Sequence, residues 1–225
     1  MEWWQMNSYI IISGGRVDLK SLQGMMDRHM DDSCVIAVDK GLEVCNKIGI
    51  VPDVIVGDFD SASSVVVSVY RRMAEKKGSI KFLDLDTRKD FTDTHVALKY
   101  AMDEGATDIY ISGAIGTRMD HTMANIGLLK ECTDRGVNAY IEDDHNVITM
   151  ISANATLNRI EGYDYISLIP YGGAVTGVTL SGFEYNAENR TFEAGDSLGV
   201  SNSIVEDRAR IELDNGYMTV IYSRD

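Results

Sequence analysis

Six short apolar runs rich in β-branched residues alternate with helix-like segments over the first two thirds of the chain, and this alternation constrains the fold. We predict strands at 8–13, 34–38, 54–56, 80–83, 109–112 and 137–141. Helices are predicted at 19–30, 42–47, 65–77, 91–104 and 119–132. Strand–helix alternation produces a parallel sheet covered by helices. We therefore predict an α/β N-terminal domain with a mostly parallel sheet and helices on both faces.

The pattern changes after His145, where short runs of alternating polar and apolar residues follow one another. Strands are predicted there at 147–151, 156–160, 165–169, 174–180, 204–213 and 218–222. Turns rich in glycine or Asx residues separate them, and Asn215-Gly216 is typical of a hairpin turn. This pattern predicts an all-β C-terminal domain, either a sandwich or a partly closed barrel, and we take the sandwich as the prediction. The predicted domains are 1–144 and 145–225.

The charge balance narrows the partners of the chain. Its 225 residues include 35 Asp and Glu against 21 Lys and Arg, a formal net charge of −14. Such an acidic surface repels nucleic acid and anionic membranes, so we predict neither as a partner. No apolar run is long enough to span a bilayer, and no signal-peptide pattern is present. Cys34, Cys45 and Cys132 have no metal-site spacing, which favours free thiols and a cytoplasmic location.

Two aspartates follow the third predicted strand, in the segment Gly57-Asp58-Phe59-Asp60-Ser61. In an extended chain, residues two apart point to the same side, so Asp58 and Asp60 would face one point. Two carboxylates aimed at one point repel each other unless a cation joins them, and Mg²⁺ with a bound polyphosphate fits that role. The segment also fits an ordinary turn rich in Asp and Ser. Both interpretations stay open at this point.

Four further strand ends carry glycine, carboxylate or basic residues. They hold Gly15 and Arg16, then Asp39, then Lys89, Asp90, Thr92 and Asp93, and lastly Arg118 and Asp120. Ligands of open parallel sheets bind at the carboxyl ends of the strands. Glycine turns offer N–H groups to phosphate oxygens, and basic side chains offset phosphate charge. The sequence has neither GxxxxGK[ST] nor GxGxxG, so we predict phosphoryl chemistry without a P-loop or a dinucleotide site.

These residues also have purely structural interpretations. Asp90 or Thr92 fits the N-cap of the helix that follows, and Asp93 fits its dipole. Arg118 and Asp120 fit a surface ion pair at the start of another helix. Both interpretations are therefore retained for each residue.

Five motifs, in this order, resemble the thiamine pyrophosphokinase (thiamine diphosphokinase) family. They are PDVIVGDFDS at 52–61, KDFTDT at 89–94, GTRMDHTMANI at 116–126, LSGFEY at 180–185 and SLGVSN at 197–202. Val38-Asp39 followed by Gly41 adds to the match, which spans nearly the whole chain.

The resemblance implies transfer of the β,γ-pyrophosphoryl group of ATP to the hydroxyl of thiamine, which releases AMP. It implies an α/β catalytic domain that binds ATP and Mg²⁺, and a β-sandwich domain for thiamine binding and dimerisation. It also implies a homodimer with sites between subunits. The cationic thiazolium ring of thiamine suits an acidic site.

The resemblance also assigns roles to individual residues. The implied catalytic residues are Asp39, Asp58, Asp60 and Asp93, and the implied Mg²⁺ ligands are Asp58, Asp60, Asp90 and Asp93. Thr92, Arg118 and Asp120 match segments near the polyphosphate and nucleotide. Gly15, Arg16 and Lys89 are added as ATP-binding residues because of their positions at strand ends. Ser201 and Asn202 match the thiamine-binding edge of the second domain. Asp39 or Asp93 could accept the hydroxyl proton, although loose phosphoryl transition states need little help from a base.

Three positions depart from the family pattern. Glu43 stands where many members have an amide, Thr117 replaces a glycine, and Ser203 replaces a common Glu. Two other functions compete with the kinase: a phosphohydrolase that forms an aspartyl-phosphate at Asp58, and a non-catalytic sensor of thiamine or nucleotide. The hydrolase pattern needs Asp-x-Asp-x-Thr near the chain start, whereas Asp58 follows the third strand.

Overall fold

The computed structural model describes residues 7–60, 62–78 and 80–225. Ser61, the last residue of the GDFDS motif, lies outside the described residues. The chain forms two compact units, Met1–Asp144 and His145–Asp225. No helix within the described ranges is both long and apolar enough to cross a membrane.

Strands and helices alternate through the first unit. The strands are β1 (Ser8–Ile12), β2 (Ser33–Val38), β3 (Val54–Gly57), β4 (Lys81–Asp84), β5 (Asp108–Ser112) and β6 (Asn138–Glu142). The helices are α1 (Leu19–His29), α2 (Gly41–Ile48), α3 (Ser64–Lys77), α4 (Asp93–Asp103) and α5 (Met119–Asp134). All neighbouring strands run parallel, in the order β4-β3-β2-β1-β5-β6.

Helices cover both faces of this sheet. Ile10 of β1 and Val35 of β2 belong to one buried cluster with Leu22 of α1, Leu42 of α2 and Val67 of α3. Helix α4 contributes no residue to that cluster but packs against β1, β2 and β3, which places it on the opposite face. Because successive strand side chains alternate between faces, near-continuous apolar strands can fill both interiors.

The winding of the sheet reverses at β1. Strands β2, β3 and β4 lie on one side of it, and β5 and β6 on the other. Open α/β sheets bind ligands at such a switch point, outside the carboxyl ends of the strands. The turns are packed closely at this edge. A Cβ added to Gly41 would lie 1.9 Å from the carbonyl oxygen of Ile12, and one on Gly15 would lie 2.3 Å from that of Gly113.

Antiparallel strands form the second unit. They are β7 (Asn146–Ile151), β8 (Ala155–Asn158), β9 (Tyr165–Ser181), β10 (Ala187–Phe192), β11 (Arg208–Glu212) and β12 (Asn215–Ser223). The first part of β9 pairs with β12, which also pairs with β7. The last part of β9 pairs with β10 and β11, and β11 pairs with β8. Strand β9 therefore passes from one sheet to the other.

The fold class predicted from the sequence, an α/β domain followed by a β-sandwich, is confirmed. Several strand bounds in the second unit were wrong. The predicted strands 165–169 and 174–180 form one continuous β9, in which Gly172 and Gly177 have φ of +73° and +68°. Glycines that suggest a turn instead bend a continuing strand. The predicted strand 204–213 shortens to Arg208–Glu212, and β10 was not predicted.

The predicted hairpin at Asn215-Gly216 was also wrong. Strand β11 pairs with β8 and β9, whereas β12 pairs with β7 and β9. The two strands are adjacent in sequence but do not pair with each other, because each takes its partners from a different sheet. Asn215 is itself the first residue of β12.

Replacing Gly41 by alanine is expected to lower the free energy of unfolding by about 3 kcal/mol, because the new methyl group must displace the β1 backbone. Gly24, inside α1, is the matched control. A Cβ there would meet only the guanidinium end of Arg28, at 3.3 Å, so Gly24→Ala should stabilise the protein by roughly 0.5–1 kcal/mol. Urea unfolding of both variants measures the difference. Equal unfolding midpoints for the two variants would contradict the close approach of Gly41 to the backbone at the end of β1.

Candidate active site

Asp39 lies directly after β2, in a turn that ties two strands together. Its backbone is left-handed, with φ of +47°, and its N–H donates to the carbonyl oxygen of Val56 on β3 at 3.0 Å. A Cβ on Gly57 would lie 2.4 Å from Asp39 Oδ1. The side chain of Asp39 therefore occupies space that only a glycine at the end of β3 leaves open.

Asp58 sits in a tight turn rather than in extended chain. Phe59 has φ of +59°, and the N–H of Asp60 donates to Asp58 Oδ1 at 3.1 Å. The prediction of extended geometry over this segment was therefore wrong, and the turn interpretation is correct for the backbone. Asp60 is exposed, and it does not join Asp58 in the group of converging carboxylates.

Asp93 enters from the first turn of α4. Thr92 is the N-cap of that helix, and its hydroxyl oxygen accepts from the N–H of His95 at 3.3 Å. The capping interpretation of Thr92 is thus what the structure shows. Asp90 is exposed and stands outside the carboxylate group.

Within the described residues, Asp39, Asp58 and Asp93 bring carboxylate oxygens within 4.8 Å of one another. They come from the ends of β2 and β3 and from the start of α4. The fold thus brings Asp58 together with two carboxylates that are distant from it in sequence.

Lys89 partly neutralises this group. Its ammonium nitrogen lies 3.2 Å from Asp58 Oδ2 and 2.8 Å from Asp93 Oδ1, and the three side chains are only 11–18% exposed. The N–H of Asp60 and the Lys89 ammonium both lower the pKa of Asp58. Burial opposes the charge of Lys89, but the adjacent Asp93 and Asp58 carboxylates outweigh burial and raise the pKa of Lys89.

Among the described residues, no cationic side chain forms an ion pair with Asp39. Its Oδ1 is buried and faces no N–H or O–H donor in the described part of the chain. Burial, followed by the nearby Asp93 and Asp58 carboxylates, raises the pKa of Asp39 to about 7. When all are ionised, three carboxylates and one ammonium carry a net charge of −2. Oxygen-only donors with this charge fit the ligand preference of Mg²⁺.

The turn after β5 is held by two residues of α5 that received no role from the sequence. Thr122 Oγ1 accepts from the N–H of Gly116 at 3.2 Å, and Asn125 Nδ2 donates to the carbonyl oxygen of Ala114 at 2.8 Å. Both are buried polar residues. Their presence in the GTRMDHTMANI motif was the available signal, since buried polar side chains usually hold backbone groups.

Arg118 and Asp120 form the predicted surface ion pair. Their side chains are 70% and 64% exposed, and the hydrogen bond from Arg118 lowers the pKa of Asp120 to about 2. Arg16, which is also largely exposed, pairs with Asp144 at 2.7 Å. The N–H of Gly15 donates to the carbonyl oxygen of Gly113 at 3.0 Å, so it already has a partner.

In the second unit, Asn202 is 3% exposed and its side chain joins separate segments. Its Oδ1 accepts from the N–H of Tyr185 at 3.0 Å, and its Nδ2 donates to the Tyr185 carbonyl oxygen at 2.8 Å. Ser201 is exposed with φ of +57°. Asn202 therefore anchors a turn that presents Ser201 and Tyr185, the latter 64% exposed.

Two of the departures from the family pattern have structural partners. Glu43 Oε1 accepts from the N–H of Ser63 at 2.7 Å, and Ser63 is the N-cap residue of α3. Ser203 Oγ donates to Glu184 at 2.8 Å. Glu43 therefore fixes the far end of the turn that carries Asp58.

Both units match known family models. Residues 27–141 match the model described as "Thiamin pyrophosphokinase, catalytic domain", and residues 154–218 match "Thiamin pyrophosphokinase, vitamin B1 binding domain". This chain belongs to the thiamine pyrophosphokinase family. It is 31% identical to the thiamine pyrophosphokinase of Bacillus subtilis (strain 168) over 222 residues, 98% of this chain and 100% of that relative.

Solved structures of thiamine pyrophosphokinases have the same fold. The crystal structure from Bacillus subtilis superposes with a TM-score of 0.86 at 29% identity, covering 97% of this chain and 99% of that one. The structure from Geobacillus thermodenitrificans gives 0.82 at 28% identity, covering 97% and 98%. The predicted family and enzyme class are confirmed, and the comparisons favour a thiamine diphosphokinase over the phosphohydrolase and sensor alternatives.

In the metal-free protein, Asp39→Asn is expected to raise the free energy of unfolding at pH 8 by roughly 1–2 kcal/mol after solvent screening. The pKa of Asp39 is raised by folding, so the folded state holds the proton more tightly than the unfolded state. Wild type should therefore lose stability as the pH rises from about 4 to about 7.

Urea unfolding with a chelator at pH 4 and pH 8 measures this effect. The two proteins should differ little at pH 4 and most at pH 8. A difference in unfolding free energy that is equal at both pH values would contradict the raised pKa of Asp39 in the folded protein.

Proposed function

We propose that this chain transfers the β,γ-pyrophosphoryl group of ATP to the hydroxyl of thiamine, giving thiamine diphosphate and AMP, with Mg²⁺ bound by Asp39, Asp58 and Asp93. The observation that carries the proposal is the convergence of these three carboxylates at the carboxyl edge of the sheet. All three lie inside the segment that matches the catalytic-domain model.

The donor set suits a bound Mg²⁺. It consists of oxygens alone, and the buried Asp39 Oδ1 has no hydrogen-bond donor of its own in the described residues. Asp60, in the same turn as Asp58, is proposed as a further ligand from the sequence motif. Asp90 is left out of the set because it is exposed and lies outside the group.

The protein contributes positioning and charge rather than a reactive group. When bound, Mg²⁺ would polarise phosphate oxygens and offset their charge. Lys89, held between Asp58 and Asp93, offsets further negative charge on the transferred group. Loose phosphoryl transition states need little base assistance, so neither Asp39 nor Asp93 is required to take the hydroxyl proton.

Nucleotide and thiamine are assigned to different units. Gly15, Arg16, Thr92, Arg118 and Asp120 remain the proposed ATP-side residues of the first unit. The exposure of the two arginines leaves them accessible to phosphate.

Thiamine binding is assigned to residues 145–225, around Ser201 and Asn202, inside the segment that matches the vitamin B1 binding model. The same unit is proposed to form the homodimer. Three buried free cysteines suit a reducing cytoplasm.

Amide substitutions test the metal assignment. Asp58→Asn and Asp93→Asn should lower thiamine-dependent AMP formation by about 100-fold or more, because each removes a ligand charge and leaves Lys89 unbalanced. Asp60→Asn should lower it by about tenfold. Asp90→Asn, exposed and three residues before Asp93, is the matched control and should stay within about threefold of wild type.

The assay measures AMP with and without thiamine. Near-normal rates in both Asp58→Asn and Asp93→Asn would overturn the metal site. Release of phosphate without thiamine would instead indicate a hydrolase.

A further inference from the structure

The turn that carries Asp58 depends on an unusual backbone at Phe59. Phe59 has φ of +59°, a conformation that bulky residues rarely adopt. Such a conformation persists only where surrounding contacts hold it, and it is most often found at functional sites. The contacts that hold Phe59 therefore bear on the position of the neighbouring Asp58 carboxylate.

Two side chains from different elements pack around Phe59. Its ring meets that of Phe82 on β4 edge to face, with centroids 6.1 Å apart. The guanidinium carbon of Arg71 on α3 lies 4.5 Å from the Phe82 centroid and 5.7 Å from the Phe59 centroid. Asp84 forms an ion pair with Arg71 and so fixes the guanidinium group. We call Phe59, Phe82 and Arg71 the aromatic clamp.

The clamp acts on two of the three carboxylates. Asp58 precedes Phe59 directly, so the ring position sets the direction of the turn. A Cβ on Gly57 would lie 2.4 Å from Asp39 Oδ1. The Phe59 ring also lies within 3.4 Å of where a Cβ of Gly57 would be. A change in the Phe59 conformation would therefore move Asp58 and Asp39 relative to Asp93.

We propose that Arg71 and Phe82 are positioning residues that hold Phe59 and thereby fix the spacing of the carboxylates that bind the metal. This inference rests on the proposed function of that site. Neither residue belongs to the carboxylate group or to Lys89's ion pairs. Their effect is exerted through the Phe59 backbone.

Substitution of Arg71 separates two explanations, because they predict opposite changes in the affinity for a divalent cation. Removing a positive charge near an acidic site would by itself strengthen the binding of a divalent cation. The clamp predicts the opposite, because a relaxed turn no longer holds the carboxylates in place. A general charge effect and the clamp therefore give results of opposite sign.

The experiment measures Mn²⁺ binding to the full chain by calorimetry or electron paramagnetic resonance. Arg71→Met, which keeps an unbranched apolar stem, should weaken Mn²⁺ binding by about tenfold, in the range typical of residues that orient metal ligands. Arg71→Lys should restore part of the affinity, since it keeps the charge but not the planar stacking group. Phe82→Leu should weaken binding in the same way as Arg71→Met.

Arg72→Met is the matched control. Arg72 is the next residue on α3, is exposed, and donates to the carbonyl oxygen of Ser68 rather than to an aromatic ring. The Mn²⁺ affinity of the Arg72→Met variant should equal or slightly exceed that of wild type. In turnover, Arg71→Met should need more Mg²⁺ for half-maximal rate but regain most of the wild-type kcat at saturating Mg²⁺.

Unchanged or tighter Mn²⁺ binding in Arg71→Met, with only a lower unfolding midpoint, would overturn the proposal and leave Arg71 a purely stabilising residue. If Arg71→Met does not fold, Phe82→Leu decides the question by the same two readouts. Failure of wild type to bind Mn²⁺, or full binding by Asp58→Asn, would instead contradict the proposed function. The two failures are therefore distinguishable.

Discussion

The repulsion among Asp39, Asp58 and Asp93 is the interaction on which the site depends. Their oxygens converge within 4.8 Å in a largely shielded place, and one ammonium group, that of Lys89, accompanies them. Asp39 bears most of the consequence, because its pKa rises to about 7. A divalent cation would relieve this repulsion, whereas the protein alone tolerates it through the stability of the surrounding fold.

The parallel sheet holds these carboxylates close together despite their repulsion. Strands β2 and β3 end side by side, and the N–H of Asp39 donates to the carbonyl oxygen of Val56. The backbone that carries Asp39 is therefore tied to β3. Gly57 leaves room for Asp39, and Glu43 and the aromatic clamp hold the following turn at two further points. Acidic residues can therefore be held close together because the backbone beneath them has little freedom.

Sequence patterns were enough to predict the fold class and the edge of the sheet at which the three carboxylates converge. Asp39, Asp58 and Asp93 were all among the residues selected by their positions at strand ends, since that argument needs only strand order and polarity. The extended geometry expected for Asp58 and Asp60 was wrong for a local reason. Periodicity assumes extended backbone, whereas Phe59 is left-handed and turns the chain after Asp58.

Other features were beyond sequence reasoning because they depend on tertiary contacts. The stacking of Arg71 on Phe82 joins a helix to a strand, and no spacing along the chain indicates it. The bounds of β9 depend on which sheet each half joins, and glycines within it suggested a turn. Asn202, selected as a thiamine ligand, is buried with its amide bonded to Tyr185, a use that its residue type alone does not reveal.

Anomalous diffraction from crystals soaked with Mn²⁺ would show which carboxylates bind a divalent cation. Mn²⁺ takes the same oxygen ligands as Mg²⁺ and can be located by its own scattering. We expect an anomalous peak within about 2.5 Å of oxygens from Asp39, Asp58 and Asp93. A peak bound by Asp60 or Asp90 without those three residues, or no peak at this edge of the sheet, would contradict this expectation.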